Sequence, residues 1–440
     1  MTIHEYLKDK KILVFGIGRQ GGGLGDVNYL ASHGYTVRAT DSKSMAELGY
    51  TAADFDPNLT LTLGVHKEED IDWCNLIIQN PAVPDNHPLL ARAKSRGVEV
   101  ATSIALFVKY ASVKTIGITG TRGKTTTTTL IHKILDRDNP GSTVLGGNIP
   151  GTSGFMLFDQ TVGKEYAVLE LSSFQLHSFH DLQVSPMYSV VTNLYPDHLN
   201  RYADMDSYAK DKTAIVKYQK EPGFTVYNQD NEGSVQIASH SNVAKYPYTA
   251  SLSTSYQTML IGEHNASNIA AAVTLCQKLG VKDEVIRSTV AEFKGVPYRL
   301  ELVRTVGGVN FVNDTTATTP VAALIALRAI KGDVILICGG ESKKLPHSEF
   351  VDEIINNDHV KKIIFLGSHN IPDFTEAITS GAPSKIAGQV DSMAEAVSLA
   401  RTLCESGDTV LLSPGFASFD LFKNEFDRGE QFNLVVATLK

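Results

Sequence analysis

Lys114-Thr-Ile-Gly-Ile-Thr-Gly-Thr-Arg-Gly-Lys-Thr-Thr126 is the stretch on which the fold turns. Its first six residues read as a buried strand, the next four as a Gly/Thr-rich turn, and residues 126–135 as a helix. A strand that breaks on glycine and feeds a helix leaves backbone N–H groups and the helix N-terminus pointing at one spot, where phosphate oxygens can be held. Lys124 would reach the terminal phosphates of ATP, and the Thr125 hydroxyl would ligate Mg²⁺. The expected ATP loop is therefore Gly120, Thr121, Arg122, Gly123, Lys124, Thr125 and Thr126. Ile118 stands where the commoner phosphate loop has its first glycine, so this is a shorter variant. The plainer alternative is a Gly/Thr turn that caps a helix and binds nothing.

Moving outward, two further stretches repeat the alternation of short apolar strands with amphipathic helices that marks parallel α/β layers. The first has strand patterns at 11–16, 35–40, 74–79 and 98–101 and reads as a Rossmann-like domain. The central stretch continues with strands at 165–170 and 187–193 and helices at 206–218 and 265–279. After the Gly295-Val-Pro-Tyr linker, strands are expected at 309–313, 333–338, 361–366 and 409–412, with helices at 320–330, 350–355, 393–403 and 419–426. The expectation is an α/β chain of three domains: residues 1–111, Rossmann-like; 112–298, a central ATPase domain of P-loop type; and 299–440, again Rossmann-like. A length of 440 residues fits three cores.

Composition narrows the function classes. With 42% hydrophobic and 20% charged residues the chain can bury sizeable cores, and a net charge of −8 argues against nucleic acid as a partner. The four cysteines, Cys74, Cys276, Cys338 and Cys404, form no CxxC pair, which fits a reducing cytoplasm rather than a disulfide or zinc framework. The first residues carry no apolar signal core, and no run approaches membrane-span length, so a cytoplasmic protein without a membrane partner is expected. A monomer is the expected state.

Three more clusters carry chemistry. Gly16-Ile-Gly18-Arg-Gln-Gly21 follows the first strand, and Asp41 lies twenty residues past Gly21 at the end of the next. In form this is a dinucleotide fingerprint, which leaves open an NAD-dependent oxidoreductase, although Gly22, Gly23 and Gly25 lengthen the glycine run. Glu170 and His198 each lie at or just past a strand end, where a polar residue is either a strand-end group or a hard ligand for Mg²⁺. His264, Asn265 and Asn268 open a helical run, with Asn265 also a candidate N-cap, and their amides could read an adenine edge.

The GT-x-GKTT loop resembles that of the Mur ligase and folylpolyglutamate synthetase superfamily, which makes amide bonds from a carboxylate and an amine at the expense of ATP. Further motifs follow in the order of the D-glutamate-adding Mur branch. They are Gly147-Asn148, Glu170-Leu-Ser-Ser-Phe-Gln175, Pro196-Asp-His-Leu-Asn-Arg-Tyr202, Gly262-Glu-His-Asn-Ala-Ser-Asn268, Asn313-Asp-Thr-Thr-Ala-Thr318 and Leu412-Ser-Pro-Gly-Phe-Ala-Ser-Phe-Asp420.

The resemblance implies catalysis by Lys124, Glu170, His198 and Lys212. It implies two Mg²⁺ ions held by Thr125, Glu170, His198 and Lys212, the last as a carbamate. It adds His264, Asn265, Asn268, Arg299 and Asp314 to the ATP set. It gives Gly18, Arg19, Gln20, Asp41, Ser42, Lys43 and Asn148 to a UDP-linked substrate, UDP-N-acetylmuramoyl-L-alanine, and Thr318, Lys343, Ser418 and Phe419 to the incoming glutamate. Three departures bear on the amino acid: Thr316 where the resemblance implies lysine, Arg122 in place of asparagine, and Glu425-Phe426 in inverted order. L-glutamate or another amino acid, and a nucleotide-binding subunit without turnover, remain alternatives.

Overall fold

The computed structural model describes residues 1–440 except Gln20, Leu199 and Asn200. It forms two compact units, Met1–Gln257 with Ala266–Val290, and Thr258–Asn265 with Ala291–Lys440.

The first unit holds two parallel sheets. The first sheet contains β1 (Lys11–Phe15), β2 (Thr36–Asp41), β3 (Thr60–Leu63), β4 (Leu76–Gln79) and β5 (Glu99–Ala101) in the order β3-β2-β1-β4-β5, the strand order of a Rossmann half. The second contains β6 (Lys114–Thr119), β7 (Thr143–Gly147), β8 (Tyr166–Glu170), β9 (Tyr188–Val191), β10 (Phe224–Asn228) and β11 (Ala244–Tyr248), ordered β11-β10-β9-β6-β8-β7. The chain leaves β6 toward β7 on one side and leaves β9 toward β10 on the other. The crevice beyond the C-terminal ends of β6 and β9 is thus the topological switch point where open α/β sheets bind ligands. β6 is buried after its first residue, as a central parallel strand must be.

The helix Ser103–Tyr110 explains why two sheets make one unit. It is apolar nearly all round, and its Leu106 packs into the core of the first sheet while Ile104, Ala105 and Phe107 pack into that of the second. A buried polar seam supports it: Asp26, on the helix Gly22–Ser32, accepts a 2.5 Å hydrogen bond from Ser153 Oγ and a longer one from Phe155 N–H.

The second unit is a single sheet of β12 (Glu301–Val306), β13 (Val309–Asn313), β14 (Val334–Gly339), β15 (Val360–Leu366), β16 (Ile386–Val390) and β17 (Thr409–Gly415), ordered β12-β13-β17-β14-β15-β16. Only the β12–β13 hairpin is antiparallel. Apolar clusters cover both faces.

The helix expected at 419–426 is not formed. The last helix is Glu425–Thr438, because Asn424 is extended and its side chain accepts from the N–H groups of Phe426 and Asp427, which sets the helix start there. Replacing that cap by alanine leaves the first-turn donors unpaired. Asn424→Ala is expected to lower stability by about 1 kcal/mol, seen as a lower urea midpoint at unchanged m-value; an unshifted midpoint would assign the helix start to another interaction.

Candidate active site

The loop after β6 is shaped by what glycine omits. A side chain at Gly120 would run into Thr192 Oγ1 and the backbone of Asn193, just past β9. One at Gly123, φ +80°, would strike the carboxamide of Asn268 while adopting a left-handed backbone. Further bonds fasten the turn: Thr121 Oγ accepts from Tyr195 N–H at 2.9 Å, and Arg122 N–H donates to Asn193 Oδ1 at 2.8 Å. The helix Lys124–Asp138 begins immediately, which brings its N-terminus to the end of the loop.

Into this crevice come two ammoniums. Lys124 Nζ donates to Gly120 O and Thr121 O, each at 3.1 Å. Lys212, on the helix Met205–Lys217, donates from Nζ to the same Gly120 O at 3.1 Å and lies 4.7 Å from the centre of the Tyr208 ring. Its side chain is 1% exposed, whereas Lys210 and Lys217 on the same helix are exposed. Burial first, and the neighbouring Lys124 second, hold the Lys212 ammonium well below the ordinary lysine range.

Glu170 ends β8, paired in register with Gly147 and Ile118. Its Oε1 accepts from Asn148 Nδ2 at 3.0 Å, while Oε2 is buried without a hydrogen-bond partner. An orphaned carboxylate oxygen of this kind fits a hard cation. Among the described residues no three His, Cys, Asp or Glu side chains converge as a metal cage. His198 has φ +56° and sits edge-on to Phe174 at 4.9 Å. Burial, with Lys212, Lys124 and Arg201 adding to it against Asp197, holds its imidazole below the usual range, a shift in the direction that favours the neutral ring.

Beside this crevice a cavity of about 350 Å³ is lined by the glycine loop of the first sheet, including Gly18 and Arg19, and by Asn80, Asn148, Ser153, Phe174, Gln175 and Arg201. Asp41 is held against the glycine loop by backbone N–H groups. Its Oδ2 accepts from the N–H groups of Ile17 and Gly18 at 2.8 and 3.0 Å, and Oδ1 accepts from Lys43 N–H. It braces the glycine loop, while Ser42 and Lys43 are exposed beside it. Gln20 lies outside the described residues. Asn268 is buried against Gly123, with Thr127 Oγ donating to it at 3.5 Å.

In the second unit, Asn265 Nδ2 donates to Ile261 O at 2.7 Å beside His264. The buried Asp314 accepts from Leu300 N–H and Ser413 Oγ, and burial pushes it up to about 7 against the nearby Arg299. Lys343 Nζ donates to Thr318 Oγ at 2.8 Å. A bridge between Glu341 and Ala417 sets the Lys343 loop beside Ser418, whose hydroxyl is buried and unpartnered; Phe419 is exposed.

Sequence reasoning assigned no role to Phe174, Gln175, Arg201, Asp26 or Ser153, all of which line the cavity. The sign of Asp26 was there to be read: an acid next to Val27 and one turn before Leu30 falls on the apolar side of its helix, where it demands a partner.

The three-sheet α/β architecture, with a glycine–lysine loop at the switch point and a sugar-sized cavity beside it, defines a nucleotide-phosphate-binding enzyme. Three family models match along the chain: the Mur ligase MurD-like N-terminal domain at 10–102, the Mur ligase middle domain at 118–256, and the Mur ligase glutamate ligase domain at 298–416. The chain is 34% identical to the UDP-N-acetylmuramoylalanine–D-glutamate ligase of Roseiflexus sp. (strain RS-1), over 98% of this chain and 99% of that one. It is also 34% identical to the enzyme of the same name from Clostridium botulinum (strain 657 / Type Ba4), over 99% and 98%. Among solved structures, UDP-N-acetylmuramate–alanine ligase of Thermotoga maritima superposes with a TM-score of 0.60 at 17% identity, covering 98% of this chain and all of that one. The chain belongs to the Mur ligase family, whose members use ATP and Mg²⁺. None of the described helices is long and apolar enough to cross a membrane.

Burial pushes the Asp26 carboxyl from 3.8 up to about 6, against hydrogen bonds from Ser103, Ser153 and Phe155 N–H that favour the ionised form. The folded chain therefore keeps a proton that the unfolded chain releases between those values, and the stability this group contributes falls as pH rises through that window and levels off above it. Asp26→Asn, neutral throughout, should gain stability relative to the parent from about pH 4 to about pH 6 and no further. Urea midpoints of both chains across pH 4–8 check this; parallel profiles would place the proton elsewhere.

Proposed function

We propose that this chain is an ATP-dependent ligase that joins D-glutamate to UDP-N-acetylmuramoyl-L-alanine, in the synthesis of the peptidoglycan precursor. The observation that carries the reading is the meeting of Lys124, the buried amine of Lys212 and the half-paired Glu170 at the ends of β6 and β8. In the reaction a carboxylate oxygen of the alanyl group attacks the γ-phosphorus of ATP and ADP departs. The amine of the amino acid then adds to the acyl phosphate, and the tetrahedral intermediate expels phosphate and loses a proton to give the amide. Phosphoryl transfer between two anions needs positive charge placed in advance, which Lys124 and the N-terminus of its helix provide.

Glu170, His198, the Thr125 hydroxyl and Lys212 would hold Mg²⁺, two ions in this reading. Bound metal would neutralise phosphate charge during transfer. Lys212 acts as a carbamate: only a neutral amine adds CO₂, and burial beside Lys124 favours that form. The glycine loop with Arg19, braced by Asp41, binds the UDP portion, and Asn148 the sugar-peptide portion. His264, Asn265, Asn268, Arg299 and Asp314 belong to the ATP set. Thr318, Lys343, Ser418 and Phe419 form the amino-acid set. In this division residues 1–111 serve the UDP substrate, 112–298 ATP and 299–440 the amino acid. The enzyme works as a cytoplasmic monomer.

Lys212→Ala is expected to lose on the order of 10³-fold in rate, the scale of removing one electrostatic stabiliser, and to recover part of it with a short added carboxylate. Lys210→Ala, which changes an exposed lysine of the same helix, should stay close to the parent. Reversed phenotypes would move the functional lysine two residues upstream.

The whole reading is tested by phosphate release with ATP, Mg²⁺ and UDP-N-acetylmuramoyl-L-alanine, scanned over D-glutamate, L-glutamate, D-aspartate, L-lysine and diaminopimelate. Product mass identifies the amide. D-glutamate should give the highest rate. A preference for L-glutamate or a diamino acid would overturn the amino-acid assignment, and no release with any of them would overturn the ligase.

A further inference from the structure

Two arginines line the cavity, Arg19 on the glycine loop and Arg201 beside Phe174. They differ in what already engages them. Arg19 Nε donates to Glu47 O at 2.6 Å, which ties it to the first sheet. Among the described residues no hydrogen bond or carboxylate takes up the Arg201 guanidinium. It lies over the face of Phe174, 4.2 Å from the ring centre.

Phe174 is fixed in turn. It sits in the first turn of the helix Ser173–Leu182, which a reciprocal capping box between Ser172 and Gln175 anchors directly after β8. Tyr202 stacks on the same ring at 5.8 Å. A guanidinium laid flat on an aromatic face keeps its N–H edge free in the plane, the fork that matches a carboxylate with two parallel hydrogen bonds. Arg201 lines the same cavity as Asn148, whose amide donates to Glu170.

We infer that Arg201, stacked on Phe174, receives the terminal carboxylate of the UDP-linked substrate and orients it for phosphorylation. This rests on the substrate reading above. That substrate carries two anionic groups, a diphosphate and a carboxylate, with a sugar between them, and the cavity carries one arginine on its glycine loop and one on the ring of Phe174. The carboxylate must approach a phosphate of like charge, and a cation already on it lowers that repulsion while fixing which oxygen faces the phosphorus. The fork would be lost with lysine, which offers only a point charge.

The test is equilibrium binding, without ATP, of three ligands to the full-length chain: UDP, UDP-N-acetylmuramoyl-L-alanine, and its uncharged alaninamide. The parent should bind the acid about 10- to 100-fold more tightly than the amide, the span of a charge-assisted hydrogen-bonded contact. Arg201→Ala should bring that ratio near one while leaving UDP affinity unchanged. Arg201→Lys should keep part of the ratio, and Phe174→Leu, which removes the stacking face alone, should lower it by about two- to fivefold. Retention of the parental ratio in Arg201→Ala overturns the inference and leaves the ligase reading intact, as does an equal loss for all three ligands, which would make Arg201 a structural residue. A parent chain that binds no UDP compound overturns the substrate reading itself.

Discussion

Gly120 O accepts hydrogen bonds from two lysine ammoniums, Lys124 and Lys212, each at 3.1 Å. Like charges converging on one carbonyl repel, and with Lys212 buried and Lys124 half-buried water screens them poorly. The strain is relieved if one amine is neutral or if an anion arrives, and both outcomes suit a site for phosphate. The surrounding chain is arranged to hold the pair in place. Gly120 meets the end of β9 with no room for a side chain, and Thr121, Arg122, Thr192 and Asn193 lock the loop by hydrogen bonds. Lys212 reaches the carbonyl from a helix capped at Asp204 and packed beside the helix that follows β8. The strands on either side of β6 thus fix the two charges, and the rigid sheet carries the electrostatics.

The cavity depends on the same rigidity by another route. Its walls come from both sheets of the first unit, so its shape requires that they not slide on each other. The helix Ser103–Tyr110, buried on both faces, and the Asp26–Ser153 bond at the cavity wall supply that constraint. Asp41 works in the same sense on the loop itself, since both of its oxygens are spent on backbone N–H groups.

What the sequence disclosed, and what it hid, follows from the range of the forces involved. β6, β13 and the helix Met393–Leu403 have the expected bounds because a buried apolar run or an amphipathic period is local information. Edge strands were missed for the opposite reason. β11 contains Pro247 and β7 ends in two glycines, features that weaken a strand pattern and are tolerated only because β11 and β7 lie at the sheet margins. Spacing could not separate Lys212 from Lys210 and Lys217; burial does, and that burial comes from Thr119 and Gly120, some ninety residues away. The fingerprint around Gly16 was plain, but the bonds from Ile17 and Gly18 N–H to Asp41 are made across more than twenty residues, which no spacing encodes.

The amino-acid site proposed for the second unit is governed by how few of its charges remain uncommitted. Arg428 is 1% exposed, and its guanidinium is taken up by Thr315 Oγ, Thr315 O and Phe416 O, so it binds two loops together. Thr316, where the family resemblance implies lysine, donates its hydroxyl to Tyr298 O and ties down the turn that leads into β12. Lys343 is left with Thr318. Burial draws its ammonium below the ordinary range, Glu425 opposes that by attraction, and Arg428 adds to it. A single ammonium shared with a neighbouring acid attracts any acidic side chain weakly and almost indifferently to its length or hand. In the proposed reading, discrimination among such amino acids falls to short-range groups of fixed position, and the buried hydroxyl of Ser418, like Asp420 Oδ2 two residues on, has a hydrogen bond still to be made.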